Sequence, residues 1–201
     1  MTMRRHTTED STEPTVLGRR LGARIAVGAV GLVLAAAIVV IAVAMSQGVG
    51  GDETGVTSAG FELAPDFTVT TFDGETVALA DLGDRPVFIY FWASWCRPCE
   101  IEAPMIQSLW PEYQARGYEF IGINMLDNPS DARRFIERHQ LTFTTARDTD
   151  GTVYLNYGVA QLPEAFFLHP GFDLSARYSG ELTEQDLRAQ LEAISPGSNR
   201  S

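Results

Sequence analysis

The 201 residues carry 26 acidic and 15 basic side chains, every basic one an arginine, for a formal net charge of −11; the 45% hydrophobic and 20% charged balance suits one ordinary folded domain with additions. Five arginines and three acidic residues precede residue 25, which leaves residues 25–201 with 10 basic and 23 acidic side chains, a net charge of −13. That sign repels nucleic acid and anionic surfaces, excludes both as partners, and suits a neutral or basic protein.

Residues 1–24 are polar and irregular and read as a disordered cytoplasmic tail. Ile25 to Met45, IAVGAVGLVLAAAIVVIAVAM, is 21 residues without a charge, and as a helix it would span roughly 30 Å, the thickness of a bilayer's hydrocarbon core. A buried soluble helix would show a polar stripe, and this segment has none. Arg4, Arg5, Arg19, Arg20 and Arg24 lie before the segment and the next basic residue is Arg85, so the positive-inside rule places the N-terminus in the cytoplasm and the rest outside. The segment is a single transmembrane anchor or a signal segment cleaved near Ala42-Val43-Ala44; its length exceeds the usual h-region and favours the anchor. Residues 46–60, SQGVGGDETGVTSAG, hold five glycines and read as a flexible linker.

From Phe61 the pattern becomes regular. In DFTVTTFDGETVALADL, Asp73-Gly74 between two β-rich runs predicts an edge hairpin. Val87 to Trp92, VFIYFW, is the continuous apolar run of a strand buried on both faces. A helix over 97–116 comes next, with Ile101, Met105, Leu109 and Trp110 at core spacing and Gly117 at its end. Tyr118 to Met125 predicts a second buried strand, and Asn128-Pro129 opens a helix to about His139 with Phe135 and Ile136 inward. After it lie Leu141 to Ala146, the Asp150-Gly151 turn, two strands around the turn 169–173, and a helix over 184–194 capped by Thr183. This order predicts one α/β domain over 61–195, with 196–201 a disordered tail.

The only two cysteines, Cys96 and Cys99, stand in FWASWCRPCEIEAP where the first buried strand meets its helix. A helix N-terminus favours a thiolate, which makes Cys96 the attacking sulfur. One turn brings Cys99 beneath it as the resolving thiol. Pro98 in the first turn costs no hydrogen bond and fixes φ, and Arg97 adds positive charge beside Cys96. A purely structural bridge fits poorly, because closing a loop this short removes little chain entropy. A zinc site lacks ligands, since the region after the span offers only His139 and His169 besides. A soft-metal, copper-delivering module using both thiols, with or without His169, stays open, and so does a thiol-exchange enzyme.

FWASWCRPC resembles the FWATWCxPC stretch of the TlpA/ResA-like branch of the thioredoxin superfamily, membrane-anchored thiol-disulfide oxidoreductases of the cell exterior. APDFTVTTFDGETVALADL is similar to that branch's N-terminal hairpin, and Pro104 to its helix-kinking proline. The resemblance covers about residues 61–194. It implies a thioredoxin-like fold, with a central mixed β-sheet flanked by helices and an added hairpin. It also implies that Leu162-Pro163 is a cis-proline loop facing the cysteines. The substrate groove would then be formed by Trp95, Arg97, Pro98, Leu162, Pro163 and Glu164, and Glu102 would tune the cysteines as an acid or base. No cofactor and no metal is expected.

Two positions depart from that pattern. Tyr90 stands where thioredoxins carry a buried aspartate, so the proton must go to water, Glu102 or the phenol itself. Glu164 stands where threonine is usual and is expected to put negative charge beside the groove, raising the pKa of Cys96 against Arg97. The resemblance implies reduction of disulfides in exported proteins, apocytochrome c among them, with electrons from a membrane thiol-disulfide carrier. A thiol oxidase or isomerase of exported proteins is the alternative; a peroxidase is a poorer fit.

Overall fold

The computed structural model describes residues 55–197, together with Ala36 and Val39, which are helical and exposed. The expected cytoplasmic tail, the rest of the apolar span, the first part of the linker and residues 198–201 lie outside the described residues. No helix among the described residues is long and apolar enough to cross a membrane.

Eight strands form one sheet in the order β1-β8-β7-β4-β5-β6-β2-β3. They are β1 (Gly55–Thr57), β2 (Thr68–Thr71), β3 (Thr76–Ala78), β4 (Val87–Trp92), β5 (Glu119–Met125), β6 (Thr144–Asp148), β7 (Glu164–Leu168) and β8 (Leu174–Ser179). The helices are α1 (Arg97–Ala115), α2 (Pro129–His139), α3 (Thr152–Asn156) and α4 (Glu184–Ala193), with a 3₁₀ turn at Leu79–Leu82. β4, β5 and β6 run parallel, whereas β7 pairs antiparallel with β4, so the sheet is mixed and the α/β expectation holds.

β4 lies between β5 and β7, which is why all of VFIYFW is buried. Its side chains alternate between two cores, as the period of a strand requires. Phe88, Tyr90 and Trp92 join Cys96, Cys99 and the inner faces of α1, α2 and α4. Val87, Ile89 and Phe91 join Phe67, Leu79, Val153, Tyr157 and Phe166 on the other face. Each fully buried aromatic or aliphatic side chain contributes about 1.5–3 kcal/mol of transfer free energy, so the doubly packed β4 is a firmly held base for the loop and helix that continue from it.

The caps reflect the local chemistry. Asn128 accepts from Ser130 N at 2.9 Å and Thr183 Oγ1 from Asp186 N at 3.1 Å, while Gly117 supplies the left-handed φ of +86° after α1.

Four expectations change. Residues 55–57 are not linker: they form edge strand β1 on β8, and the Thr57 and Ser179 hydroxyls pair across it at 3.1 Å. Ile101 is 54% exposed, because the inward arc of α1 runs through Cys99, Glu102, Ala103, Ile106, Leu109, Trp110 and Tyr113. Residues 152–156 form the single turn α3, where the Asp148 carboxylate accepts from Val153 N and Tyr154 N at 3.3 and 2.8 Å. Residues 144–148 form a third parallel strand, β6, where the sequence pattern assigns no element.

Candidate active site

The end of β4 delivers the chain into Ala93-Ser94-Trp95 and then into Cys96, the N-cap of α1. Cys96 and Cys99 are joined by a disulfide. Cys96 Sγ also accepts from Cys99 N at 3.3 Å, so the first sulfur sits on the helix's unpaired N–H groups as expected. Cys99 is fully buried and Cys96 is 4% exposed; the outer sulfur is the one a second protein can reach. Arg97 and Trp95 are exposed, and Pro98 is half-buried.

The Leu162–Pro163 bond is cis. Phe91 pairs with Glu164 across β4 and β7, so Pro163 falls level with Trp92, and the proline loop adjoins the segment leading to Cys96. Leu162 packs on the core that contains both cysteines. Pro163 O accepts from Gly180 N at 2.9 Å.

Glu164 requires a correction. Positions 164, 166 and 168 share the face of Phe166 and Leu168, away from the cysteines, whereas 165 and 167 share theirs. Its side chain is fully buried and paired with Arg177 Nε at 2.7 Å, and Ser179 Oγ donates to the same oxygen at 2.6 Å. Arg177 also donates to Gly158 O at 2.9 Å and Ser58 O at 3.3 Å. Glu164 therefore places no charge in the groove and does not oppose Arg97. A strand parity count from Phe166 would have found this.

Glu102 is 2% exposed. Its Oε2 accepts from Leu182 N at 2.8 Å. Burial pushes its carboxyl up to about 8, against the lowering pull of Leu182 N–H and the Tyr90 hydroxyl and with a like-charge push from Glu181. Burial, and next the charge of Glu102, raise the Tyr90 phenol well above its usual value. A carboxyl near 8 exchanges a proton with an ordinary thiol near 8.5 at little cost, and Glu102 lies one helical turn beyond Cys99.

Sequence reasoning missed Asp127, which clamps the approach to the cysteines. Its carboxylate accepts from Ser94 N at 2.6 Å, Ser94 Oγ at 2.7 Å, Asn124 Nδ2 at 2.8 Å and Asn128 N at 2.8 Å. Beside it, Trp95 Nε1 donates to Leu126 O at 3.0 Å. Beneath, the Trp92 indole stacks on Phe135 with centroids 4.6 Å apart, and Gly122 makes room for it: a Cβ there would sit 3.0 Å from Nε1. The available signal was an acidic residue between the end of a buried strand and the Asn128-Pro129 cap.

His169 does not join the thiols. It comes just after β7, at the end paired with the start of β4, a strand length of about 20 Å from the cysteines. Among the described residues no group of histidine, cysteine and carboxylate side chains could hold a metal ion.

Residues 62–175 match the AhpC/TSA family. The chain is 35% identical over 133 residues to the thiol-disulfide oxidoreductase ResA of Geobacillus thermodenitrificans, covering 66% of this chain and 76% of that one. It is 33% identical over 133 residues to the ResA of Bacillus anthracis, covering 66% and 77%. Among solved structures it resembles MTB dsbF in its mixed oxidized and reduced forms, with 28% identity, a TM-score of 0.61, and coverage of 66% of this chain and 99% of that one. It also resembles a secreted Mycobacterium tuberculosis disulfide oxidoreductase homologous to E. coli DsbE, with 25% identity, a TM-score of 0.59, and coverage of 64% and 96%. The fold is thioredoxin-like, as its sequence resemblance implies.

Proposed function

This chain belongs to the AhpC/TSA family and is a thiol-disulfide oxidoreductase, and from that footing we propose that it reduces disulfides of exported proteins from outside the cytoplasmic membrane. The observation that carries the reading is the placement of Cys96 at the rim of α1, with Cys99 sealed behind it and the Leu162–Pro163 loop alongside. That loop suits an extended substrate segment laid beside Cys96.

The Cys96 thiolate attacks one sulfur of the substrate disulfide and expels the other as a thiolate, leaving a mixed disulfide. Cys99 then gives its proton to the Glu102 carboxylate. Its sulfur bonds to Cys96, the Cys96–substrate bond breaks, and the electron pair departs on the substrate sulfur. Two electrons have passed outward, the enzyme holds its disulfide, and Glu102 returns the proton to solvent. A membrane thiol-disulfide carrier would restore the dithiol. The heme-binding cysteines of apocytochrome c are one candidate substrate class.

The arginine-flanked apolar span supports a membrane anchor with the domain outside, and the M. tuberculosis relative is described as secreted. A second reading, a thiol oxidase or isomerase, is favoured by Arg97: with Glu164 paired to Arg177 on the other face, the Arg97 charge stabilises the Cys96 thiolate and so favours the dithiol. The midpoint potential decides between them. A value near the roughly −270 mV of thioredoxin fits the reductase, and one near −120 mV makes the protein an oxidant. Cys99→Ser should trap a substrate on Cys96 in the native envelope; absence of any adduct would refute exchange itself.

A further inference from the structure

The residue that most sets this site apart from the thioredoxin pattern is Tyr90, whose hydroxyl lies inside the same core as Cys96 and Cys99. Tyr90 Oη and Glu102 Oε1 are both buried with no partner at full hydrogen-bond geometry among the described residues, and each acts on the other: the Tyr90 hydroxyl is the one side-chain donor that favours the Glu102 carboxylate, and Glu102 is the charge that disfavours a Tyr90 phenolate. Glu102 Oε2 is already taken by Leu182 N. The other ionisable groups acting here are Tyr178 of β8, engaged with Asp186 of α4 at 3.1 Å, and Glu181 before α4, which repels a charge on Glu102. Tyr90 is the sheet's polar contribution to this carboxyl.

A phenol hydroxyl both donates and accepts, whereas an ionised carboxylate only accepts. From this geometry we infer that Tyr90 is a positioning residue for Glu102: its hydroxyl donates to the carboxylate and turns to accept from the carboxylic acid, so Oε1 keeps a partner as Glu102 takes the Cys99 proton and releases it. An aspartate at 90 would place a second acid against Glu102, and phenylalanine would leave Oε1 alone in the core. This inference rests on the exchange reading above and assigns the part of its proton step that Glu102 does not perform alone.

The test monitors the second phase of the reaction of the reduced full-length chain, in detergent, with 5,5′-dithiobis(2-nitrobenzoate). Cys96 releases the first thionitrobenzoate, and Cys99 releases the second by resolving the mixed disulfide. In the wild type the second rate should rise with pH along a midpoint set by Glu102. Tyr90→Phe keeps the ring and removes the donor to the carboxylate, so that midpoint should move up by about one pH unit. Glu102→Gln should abolish the midpoint, and Tyr90→Phe in the Glu102→Gln background should then change nothing further. A Tyr90→Phe profile that superimposes on the wild type, or an equal displacement with and without Glu102, overturns the assignment. Failure of exchange itself is distinguishable, because the wild type would then show no second release.

Discussion

Arg177 Nε donates to Glu164 Oε1 at 2.7 Å on the face of the sheet that the cysteines do not share. The residue immediately after the cis-proline is thus an internal strut, which joins the loop end to β8 and, through Arg177, to Gly158 O and Ser58 O.

Removing one partner of that pair should be costly. Arg177→Met leaves a fully buried carboxylate without its counter-charge, a loss of about 3–5 kcal/mol, read as a lower urea midpoint. Glu164→Gln keeps a hydrogen-bond acceptor for Arg177 and Ser179 and should cost less. Neither change should alter the rate at which iodoacetamide alkylates Cys96 at a given pH. A faster rate in Glu164→Gln would mean that the carboxylate does act on the thiol.

Asp127 acts on the active-site approach from 31 residues beyond Cys96 in the chain. Asp127→Ala frees Ser94 N and Oγ and Asn124 Nδ2 together, and the displaced loop should slow disulfide exchange by about 10-fold or more. Asp127→Asn retains part of the clamp and should fall between. Unchanged single-turnover rates in Asp127→Ala would show that α1 and β4 hold Cys96 unaided.

Glu102 makes stability depend on pH with a definite sign. Its folded-state pKa, about 8, lies above the ordinary 4.5, so the oxidised folded protein binds the proton more tightly than the unfolded chain. Stability from this group is complete below about pH 4.5 and is lost as pH rises through about 8, by a total on the order of a few kcal/mol. Urea unfolding of the oxidised protein across that window should show the wild type losing ground to Glu102→Gln. Parallel curves would place the carboxyl in water.

Two isoleucines on α1 separate surface from core. Ile106→Ala should cost about 2–5 kcal/mol through a cavity against β4 and β5, because Ile106 is fully buried. Ile101→Ala should stay within about 0.5 kcal/mol. Equal losses would mean that the exposed Ile101 packs against something outside this domain.

What the amino-acid sequence by itself determined is local. Apolar continuity marked β4 and β5, Asp73-Gly74 marked the hairpin, and Asn128-Pro129 and Thr183 marked helix starts, because each signal acts between neighbours in the chain. Cys96 and Cys99 were legible for the same reason: strand end, helix start and two-residue spacing lie within one stretch. The tertiary structure alone decided which face each side chain takes and what it meets across the sheet. The register of β7 on β4 turned Glu164 away from the groove, gave it Arg177, and separated His169 from the thiols by a strand length. The packing of α1 on β4 enclosed Glu102 beside Tyr90, and burial raised its proton affinity toward that of a thiol. Desolvation and pairing depend on partners tens of residues away, which no local pattern encodes.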